Sequence, residues 1–450
     1  MQHYLVAPSL KAIKAMSTKL SSLRFVATAS VIGSVIEWYD LFVYGSLVVV
    51  LSGIFFPTQD PSVSVLYALG AFVAGAAVRP LGGAVFGRIG DRTGRKGAFL
   101  LTVVVMGTGA FLTGLLPTYA AIGIAAPLLL VTLRIIEGLA MGGEFGGATV
   151  YLAEHAPNRS KGAWTSLVQA SGTLGLLLSS GVVLLTRVAM GQQAFSDWGW
   201  RVPFLFSAVL VLIAIYLRVR LTETPLFTEL AAKRETSRTP VREALTEKKN
   251  ARTLVVALVV ISGSSVIWHA AQFYSSVFMQ TALKLSFSTA SMVTFAALAL
   301  GAPFFVIFGW LSDRVGRKKV ILMGNLLGLG FFPIYSGMSY FSAPSNIIGL
   351  ALLAFAQVVV SAMVYGPLGA YLVESFPTRI RYTSIAISYG VGTGDIGDGT
   401  LLIAPWLALV TGNIYAGFLW ITTVPVLAVV VGLIFMKETR SVDLAKAGQT

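Results

Sequence analysis

The stretch that decides the fold reads Gly87-Arg88-Ile89-Gly90-Asp91-Arg92-Thr93-Gly94-Arg95-Lys96, and its second copy reads Gly309-Trp310-Leu311-Ser312-Asp313-Arg314-Val315-Gly316-Arg317-Lys318. Both copies share the pattern G-x-x-x-D-R-x-G-R-K, lie between long apolar runs and begin 222 residues apart, which is about half of the chain. A second matching pair, Tyr151–Arg159 and Tyr371–Arg379, begins 220 residues apart in the same order. Ordered repeats at one spacing predict two homologous halves.

The composition is typical of a membrane protein. Of the 450 residues, 56% are hydrophobic and 12% are charged, and the mean hydropathy is +0.79, which is too apolar for a soluble globule. The net charge of +14 comes from basic residues in short loops rather than from a basic domain, so no nucleic-acid partner is predicted. Cysteine is absent, which excludes disulfides, a thiol nucleophile and a cysteine-based metal site.

Twelve apolar runs are each long enough to cross a hydrocarbon core of ~30 Å, which takes about 20 residues. Because the backbone must satisfy its own hydrogen bonds in lipid, these runs are predicted to be α-helices. The predicted spans cover residues 25–53, 63–87, 98–117, 121–152, 162–190, 202–219, 253–281, 288–311, 319–340, 346–373, 382–410 and 413–436. The predicted fold is therefore an all-α integral membrane protein with twelve transmembrane helices in two six-helix halves.

The basic residues predict the orientation. With the N-terminus inside, cytoplasmic segments contain 28 of the 33 lysine and arginine residues and the outer loops contain three, as positive-inside insertion requires. The N-terminal segment lacks the short apolar region and small-residue cleavage site of a signal peptide. The predicted organisation is a cytoplasmic N-terminal tail (1–24), a six-helix half (25–219), a cytoplasmic central loop with surface helices (220–252), a second half (253–436) and a cytoplasmic C-terminal tail (437–450).

Shorter motifs support a family resemblance over residues 20–440. They are Ile36–Asp40 in span 1, Gly142–Glu144 in span 4, Trp198–Phe204 before span 6, Glu223–Phe227 after span 6 and Phe376–Arg381 after span 10. With the twelve spans and the doubled motif, they resemble the metabolite:H⁺ symporter family of the major facilitator superfamily, which is related to the sugar porters. The resemblance implies a transporter of the cytoplasmic membrane that works by alternating access on a small molecule and protons, and we expect a functional monomer.

The resemblance also implies a cytoplasmic gate. In similar proteins, arginines of the repeated loop bind acidic residues at the cytoplasmic ends of neighbouring helices, and this network closes one side of the protein in one state. The aspartate at the same position of both copies favours gating over a loop that only sets topology. The predicted gate consists of Asp91, Arg92, Arg95, Glu154, Arg159, Asp313, Arg314, Arg317, Glu374 and Arg379.

Ionisable residues inside apolar spans indicate where coupling occurs, because each costs about 2.5–3.5 kcal/mol on insertion scales. Glu37 and Asp40 lie three residues apart in span 1, and Arg134 lies in span 4. Burial favours the protonated acid and a nearby guanidinium favours the carboxylate, so a small movement of Arg134 would load or release a proton at Asp40. These positions also match the span 1 acid and span 4 arginine of proton-coupled sugar porters. Glu37 is the second candidate, and a permanent structural pair is the alternative.

Substrate contacts are expected from polar and aromatic residues of the cavity-lining spans. The candidates are Tyr39, Tyr44, Arg79, Gln169, Trp268, His269, Gln272, Tyr274, Tyr365, Asp395 and Asp398. Gln169 and Gln272 resemble hydrogen-bonding glutamines of sugar porters. Because Arg79 and Arg134 could balance a carboxylate, an organic acid (mono-, di- or tricarboxylate) is the first expectation and a zwitterionic osmolyte the second.

Several other functions are disfavoured. Gly392–Gly397 matches G-x-G-x-x-G but follows no β-strand, so no dinucleotide site is predicted. The three histidines form no catalytic or metal-binding motif, and we predict no enzymatic activity, cofactor or metal.

Two alternatives to symport fit the sequence less well. Proton antiporters of this fold tend to carry a Gly-Pro motif in span 5, and Ser166–Gly175 contains no proline, so uptake with protons is favoured over export. A transporter-derived nutrient receptor that signals without flux usually adds a long cytoplasmic tail, whereas only residues 437–450 follow span 12.

Overall fold

The computed structural model describes residues 10–341 and 346–445, and within these residues the chain forms helices and no β-strand. Parts of the two predicted tails, residues 1–9 and 446–450, lie outside the described residues.

Twelve helical elements follow one another along the described chain. They are α1 (Leu10–Phe55), α2 (Pro61–Ala77 and Arg79–Thr93), α3 (Arg95–Leu115), α4 (Ala125–His155), α5 (Lys161–Met190), α6 (Arg201–Val219), α7 (Lys248–His269, a π-helical turn Ala270–Tyr274, and Ser275–Thr281), α8 (Phe287–Val315), α9 (Arg317–Gly328 and Phe331–Tyr340), α10 (Ile347–Tyr365 and Leu368–Ser375), α11 (Arg381–Tyr389, a π-helical segment Gly390–Gly397, and Asp398–Thr411) and α12 (Phe418–Phe435). Short helical pieces lie between them at Tyr119–Ile122, Gln192–Ala194, Phe195–Gly199, Pro225–Ala232, Pro240–Thr246 and Thr378–Ile380.

Most of the helices are long and apolar enough to span a membrane. Within the described residues, ten satisfy that test singly, and the two parts of α9, which meet at a bend of 42°, make an eleventh. The twelfth is α11, whose three segments continue one another without an intervening residue but are each short. The predicted architecture of twelve spans in two halves is confirmed.

Several helix ends lie beyond the predicted span ends. α1 begins at Leu10, inside the predicted tail, α2 continues to Thr93 rather than 87, and α7 begins at Lys248 rather than 253. The reason is the same in each case: hydropathy locates the part of a helix that lies in lipid, whereas these helices continue through polar residues at the membrane surface. The predicted surface helices of the central loop lie at Pro225–Ala232 and Pro240–Thr246.

The polarity of the bundle is inverted relative to a soluble protein. Large apolar side chains face outward, as at Leu409 (81% exposed) and Leu185 (70% exposed), while charged and polar side chains are buried between helices. The two halves join mainly where α2 packs against α11 and α5 packs against α8. These two helix pairs correspond to each other under the duplication, so they give the molecule a pseudo-two-fold arrangement.

Candidate functional site: a paired gate and a central polar cluster

Each copy of the repeated motif forms a tight turn between two helices. α2 ends at Thr93 and α3 begins at Arg95, and Gly94 between them has φ of +125°. Gly316 makes the same connection between α8 and α9 with φ of +114°. Glycine adopts positive φ without the steric cost that a Cβ would bring, which explains why this position is glycine in both copies. We call the end of the bundle that contains both turns the motif face.

The motif aspartates bind helix N-termini of the opposite half. The Asp91 carboxylate accepts hydrogen bonds from the backbone N–H groups of Tyr382 (3.2 Å) and Thr383 (2.8 Å) at the start of α11. Asp313 accepts two bonds of 2.9 Å from the N–H groups of residues 162–163 at the start of α5. The first N–H groups of a helix lack partners within the helix and carry partial positive charge, so a carboxylate stabilises them. Both interactions connect the two halves.

Buried ion pairs extend the first of these contacts. Arg95 pairs with Asp91 four residues earlier and lies 3.9 Å from Glu154 at the end of α4. Arg381 at the start of α11 donates to Glu154 Oε1 at 2.8 Å. The side chains of Arg95, Glu154 and Arg381 are fully buried, so Glu154 holds an arginine of the other half without solvent screening.

The second half repeats this arrangement. Arg317 pairs with Asp313 (2.7 Å) and with Glu374 at the end of α10 (3.1 Å). Lys161 at the start of α5 lies 3.1 Å from Glu374 Oε1, so this glutamate also holds a cation of the opposite half. The network therefore contains two matching sets of charges, one on each side of the boundary between the halves.

Two glutamates that were not predicted complete the repeat. Glu223, after α6, accepts a bond from the N–H of Lys96 at the start of α3 (3.2 Å). Glu438, after α12, accepts bonds from the N–H groups of Arg317 (2.8 Å) and Lys318 (3.2 Å) at the start of α9. Both glutamates are followed by threonine and lie 215 residues apart, which is the sequence signal that could have identified them.

The last described segment crosses the motif face. The carbonyl oxygen of Val442 accepts from Lys161 Nζ (2.7 Å), and that of Leu444 accepts from Thr378 Oγ1 (3.1 Å) and Arg381 Nη2 (3.0 Å). Since Lys161 belongs to the first half and Arg381 to the second, this segment contacts both halves.

The remaining predicted gate residues lie outside this buried network. Arg92 and Arg314 are exposed, and the Arg314 guanidinium lies over the Trp310 ring at 3.7 Å. Arg159 is exposed and lines a surface cavity of about 640 Å³ on the motif face. Arg379 points to the central loop and pairs with Glu243 (3.0 Å) and Glu247 (3.5 Å). Arg381, rather than the predicted Arg379, is therefore the arginine that binds Glu154.

Near the middle of the first half, one arginine lies between two acids. Arg134 Nη1 is 3.2 Å from Asp40 Oδ2, and Arg134 Nη2 is 2.5 Å from Glu137 Oε2. The three side chains are at most 5% exposed, and the Arg134 guanidinium also lies over the Tyr44 ring at 4.9 Å. A buried cluster with one cation and two carboxylates would carry a net negative charge, which burial disfavours unless one acid holds a proton. Glu137 was not among the predicted coupling residues.

A second charged cluster connects the two halves at the centre. Arg79 Nη1 on α2 donates to Asp398 Oδ2 on α11 at 2.8 Å, and His269 Nε2 on α7 lies 2.7 Å from Asp398 Oδ1. His269 Nδ1 lies 2.8 Å from the carbonyl oxygen of Ser265. Asp398 is therefore held by a residue of each half.

The π-helical segments of α7 and α11 border this cluster. The π turn of α7 begins directly after His269, and that of α11 ends directly before Asp398. The glycine pattern considered for a dinucleotide lies in the α11 segment, where a Cβ at Gly397 would collide with the Ser265 side chain. The pattern thus permits close approach of α11 to α7. Segments of π-helix inside α-helices occur frequently at functional sites.

A small enclosed cavity of about 10 Å³, enough for one water molecule, lies between the halves beside Arg79. Its lining includes Glu37 and Trp38 of α1, Arg79 of α2, Met141 and Gly142 of α4, and Tyr389, Gly390, Thr393 and Gly394 of α11. Within the part of the chain that the structure describes, Glu37 makes no ion pair, although it is only 5% exposed. The Nε of Arg79 likewise has no hydrogen-bond partner among the described residues.

Aromatic rings of both halves meet next to the cavity. The Trp38 ring lies 5.1 Å from that of Trp268, and the Phe42 ring lies 4.9 Å from that of Phe273. The Tyr365 ring stacks on Trp268 at 5.6 Å. Together with the ion pairs of the motif face, these contacts bring the halves together both at the centre and at one end.

The other predicted cavity residues are dispersed. Tyr39 and Tyr44 donate to backbone carbonyl oxygens of Pro203 (2.7 Å) and Ala68 (2.9 Å) within the first half. Tyr274 packs against the Tyr335 ring inside the second half.

The glutamines and Asp395 differ in position. Gln272 Oε1 accepts from Thr173 across the boundary (3.2 Å), and the Nε2 of buried Gln169 lacks a partner among the described residues. Asp395, three residues before Asp398, is exposed.

Comparisons with known proteins identify the family. The description "Sugar (and other) transporter" matches residues 26–251, and "Major Facilitator Superfamily" matches residues 268–450. The chain is 33% identical over 436 residues to the glycine betaine/proline/ectoine/pipecolic acid transporter of Dickeya dadantii (94% of this chain, 85% of the relative). It is 36% identical over 417 residues to the shikimate transporter of Escherichia coli (88% and 90%) and 34% identical over 397 residues to an inner membrane metabolite transport protein of the same species (87% and 89%).

A solved structure has the same fold. The proton:xylose symporter bound to 6-bromo-6-deoxy-D-glucose superposes with a TM-score of 0.75 at 19% identity, covering 96% of this chain and 99% of that one. The chain is accordingly a transporter rather than an enzyme, and it belongs to the major facilitator superfamily, among the metabolite:H⁺ symporters related to the sugar porters.

Proposed function

We propose that the protein takes up a small carboxylate-bearing solute together with protons, and that the solute is a zwitterionic osmolyte. The observation that carries this proposal is the small cavity between the halves, which has Glu37 and Arg79 in its lining and must widen to admit a solute when the halves move. A zwitterion presents a carboxylate and a cationic nitrogen, and these two side chains are the complementary pair. The rings of Trp38 and Tyr389 in the same lining could attract a quaternary or secondary ammonium group by cation–π interaction.

The relatives support this order of substrates. Glycine betaine, proline, ectoine and pipecolic acid, named for the Dickeya relative, combine a carboxylate with a cationic nitrogen centre. The sequence alone favoured an organic acid because it identified Arg79 but gave no reason to place Glu37 beside it.

An organic acid remains the second candidate, and a specific observation favours it. The relative with 36% identity is a shikimate transporter, and shikimate has a carboxylate but no cationic nitrogen. Arg79 would serve such a substrate alone, and a protonated Glu37 would then act as a hydrogen-bond donor toward hydroxyl groups.

The proton-coupling proposal for the first half rests on the Asp40–Arg134–Glu137 cluster. Since Arg134 can neutralise only one of two buried acids, the cluster favours binding one proton. A rearrangement that separates Arg134 from one acid would change the proton affinity of that acid, as coupling requires.

We also propose that the motif face lies at the cytoplasm, with both termini on that side of the inner membrane, and acts as the gate. In this conformation the motif face is closed by interactions between halves, from Asp91 and Glu154 on one side and from Asp313 and Glu374 on the other. Opening toward the cytoplasm requires these contacts to break together, so each of them stabilises the closed state.

Transport into proteoliposomes tests the proposed function. We expect glycine betaine to accumulate against its gradient when an inward proton gradient is imposed, and a protonophore to abolish the accumulation. Accumulation driven by sodium and indifferent to the proton gradient would contradict proton coupling.

The substrate class is tested with Glu37→Gln, which removes the negative charge but keeps the shape. If the substrate is a zwitterion, the variant weakens glycine betaine binding by about tenfold or more, the size of one charge-assisted contact. It leaves shikimate binding within a few-fold of the wild type. Asp197→Asn, at an exposed position of the short helical piece Phe195–Gly199, is the matched control for removal of an acid. Equal loss for both solutes would contradict a role of Glu37 as partner of the cationic group.

A further inference from the structure

The hydrogen bonds of His269 determine where a proton lies. The carbonyl oxygen of Ser265, 2.8 Å from Nδ1, can only accept, so Nδ1 carries a hydrogen. The Ser265 hydroxyl, which accepts from the Tyr365 hydroxyl (3.0 Å), is the more distant neighbour of Nδ1 at 3.3 Å. Nε2 and Asp398 Oδ1 are separated by only 2.7 Å, and without a hydrogen between them two lone pairs would face each other. The contact therefore contains one additional proton, carried by the imidazolium or by the carboxylic acid.

This proton changes the net charge of the cluster that Arg79 forms with Asp398 and His269. With the proton bound, Arg79, Asp398 and His269 together have a net charge of +1. Without it, an Asp398 carboxylate neutralises Arg79 completely, and the net charge is zero. Burial makes the difference large, since Arg79 is 6% and Asp398 9% exposed.

We propose that the Asp398–His269 pair is a second proton-binding site and that a proton bound there frees Arg79 to bind the carboxylate of the substrate. This inference rests on the proposed function for the class of solute and deepens it by assigning the carboxylate subsite. Asp398 and the substrate carboxylate compete for one guanidinium, and the proton decides the competition. Arg79 is suited to this exchange because it lines the central cavity and its Nε has no partner among the described residues.

The cluster sits where both halves can act on it. Arg79 belongs to the first half, and Asp398 and His269 belong to the second, so separating the halves breaks the Arg79–Asp398 bond. The groups that face the pair are Arg79 from α2, Tyr365 from α10, which hydrogen-bonds to Ser265, Glu37 from α1 beside Arg79, and Tyr389 and the exposed Asp395 from α11 itself. Among them Arg79 is the cation that touches Asp398 directly, which makes it the group whose state the proton controls.

The pH dependence of solute binding tests this inference. The dissociation constants of purified full-length protein for glycine betaine and for shikimate are determined by calorimetry between pH 5 and 9. If one proton enters with the carboxylate, the Kd rises about tenfold per pH unit above the titration of the pair. Asp398→Asn removes the competing carboxylate, so its Kd should lose this dependence and at high pH lie at least about tenfold below that of the wild type. Asp197→Asn should keep the wild-type slope.

Transport gives an independent readout of the same variant. Asp398→Asn should lose accumulation against a gradient but keep exchange of internal for external solute, because exchange needs no proton release. An Asp398→Asn protein that retains the tenfold slope and concentrates its solute would overturn the inference while leaving the proposed function intact.

If thermal unfolding shows that Asp398→Asn does not fold, His269→Gln tests the same inference. Loss of the imidazole removes the base that shares the additional proton and leaves the Asp398 carboxylate with Arg79. The midpoint of the pH dependence should move to lower pH, and an unchanged midpoint would overturn the inference.

A substrate-free titration separates the inference from the proposed function. The Trp268 ring lies 4.9 Å from the His269 ring, so its fluorescence reports the charge of the imidazole. The wild-type transition should shift by more than one pH unit in Asp398→Asn and disappear in Trp268→Phe. If neither solute binds the wild type, the proposed function fails, but the titration still tests the proton site. A fluorescence transition at the same pH in Asp398→Asn as in the wild type would overturn that site.

Discussion

The carboxylate of Asp313 should be a principal restraint on opening of the motif face. It accepts two backbone N–H bonds of 2.9 Å from the start of α5, and its side chain is only 6% exposed. Because α5 belongs to the other half, both bonds must break when the halves separate at this end. Asp313→Asn therefore acts on the closed state and leaves the open state almost unchanged.

The size of the effect follows from these contacts. A hydrogen bond to a charged group contributes about 1.5–3 kcal/mol, and asparagine retains one acceptor oxygen while its NH₂ group faces the second N–H donor. The variant thus loses about one charged bond, ~2 kcal/mol, while Arg317 keeps its pair with Glu374. A loss of this size raises the population open toward the motif face about 30-fold.

The assay uses the absence of cysteine from the chain, which provides a background free of native thiols. Met141 lines the central cavity, so Met141→Cys reports access to it from the motif face. A membrane-impermeant maleimide added to inside-out vesicles should label Met141→Cys about 30-fold faster when Asp313→Asn is also present, if opening limits labelling. Asp197→Asn is the control. Labelling within threefold of the background rate would refute the idea that this carboxylate restrains the gate.

Three further predictions concern single contacts. Asp40→Asn should abolish proton-driven accumulation but keep counterflow in proteoliposomes, and persisting accumulation would move coupling away from Asp40. Gly142→Ala places a Cβ against the backbone of α2 and should destabilise the protein by about 1–3 kcal/mol in thermal unfolding. Gly70→Ala, where the added Cβ has no atom within 4 Å, should be neutral. Equal melting temperatures of the two variants would contradict this packing. Arg381→Gln leaves Glu154 buried beside Arg95 alone and should weaken the closed motif face by about 3–5 kcal/mol, again measured by maleimide labelling; an unchanged rate would contradict the pair.

The sequence predicts the fold and the duplicated acidic residues of the gate, because both follow from local patterns. Apolar length identifies the spans, and duplication identifies Asp91 with Asp313 and Glu154 with Glu374. The cations that these glutamates bind across the boundary, Arg381 and Lys161, depend on how helices of different halves meet, and no local pattern encodes that meeting. Arg379 was predicted instead of Arg381, but the 3₁₀ turn Thr378–Ile380 directs Arg379 toward the central loop.

The central site was predictable only in part. The Asp40–Arg134 pair followed from buried charges, and Glu137, three residues after Arg134 on the same helix, carried a signal that could have placed it there. The contact between His269 and Asp398 joins residues 129 positions apart on two helices interrupted by π segments, where helical periodicity fails.

The duplication produces equivalent residues at the motif face but not at the centre of the molecule. The motif face is built from equivalent residues, so separating the halves breaks the same kinds of bond on both sides of the pseudo-two-fold axis. The centre breaks the symmetry: at the 220-residue offset, Arg134 corresponds to Ala354 and Glu137 to Gln357, so the second half has no copy of the first charged cluster. A symmetric gate restrains both halves equally, whereas a directional reaction with a solute and protons requires different groups on its two sides. We therefore propose that the duplicated charge pairs of the motif face form the gate and that the two single clusters at the centre, around Arg134 and around Asp398, serve the chemistry of transport.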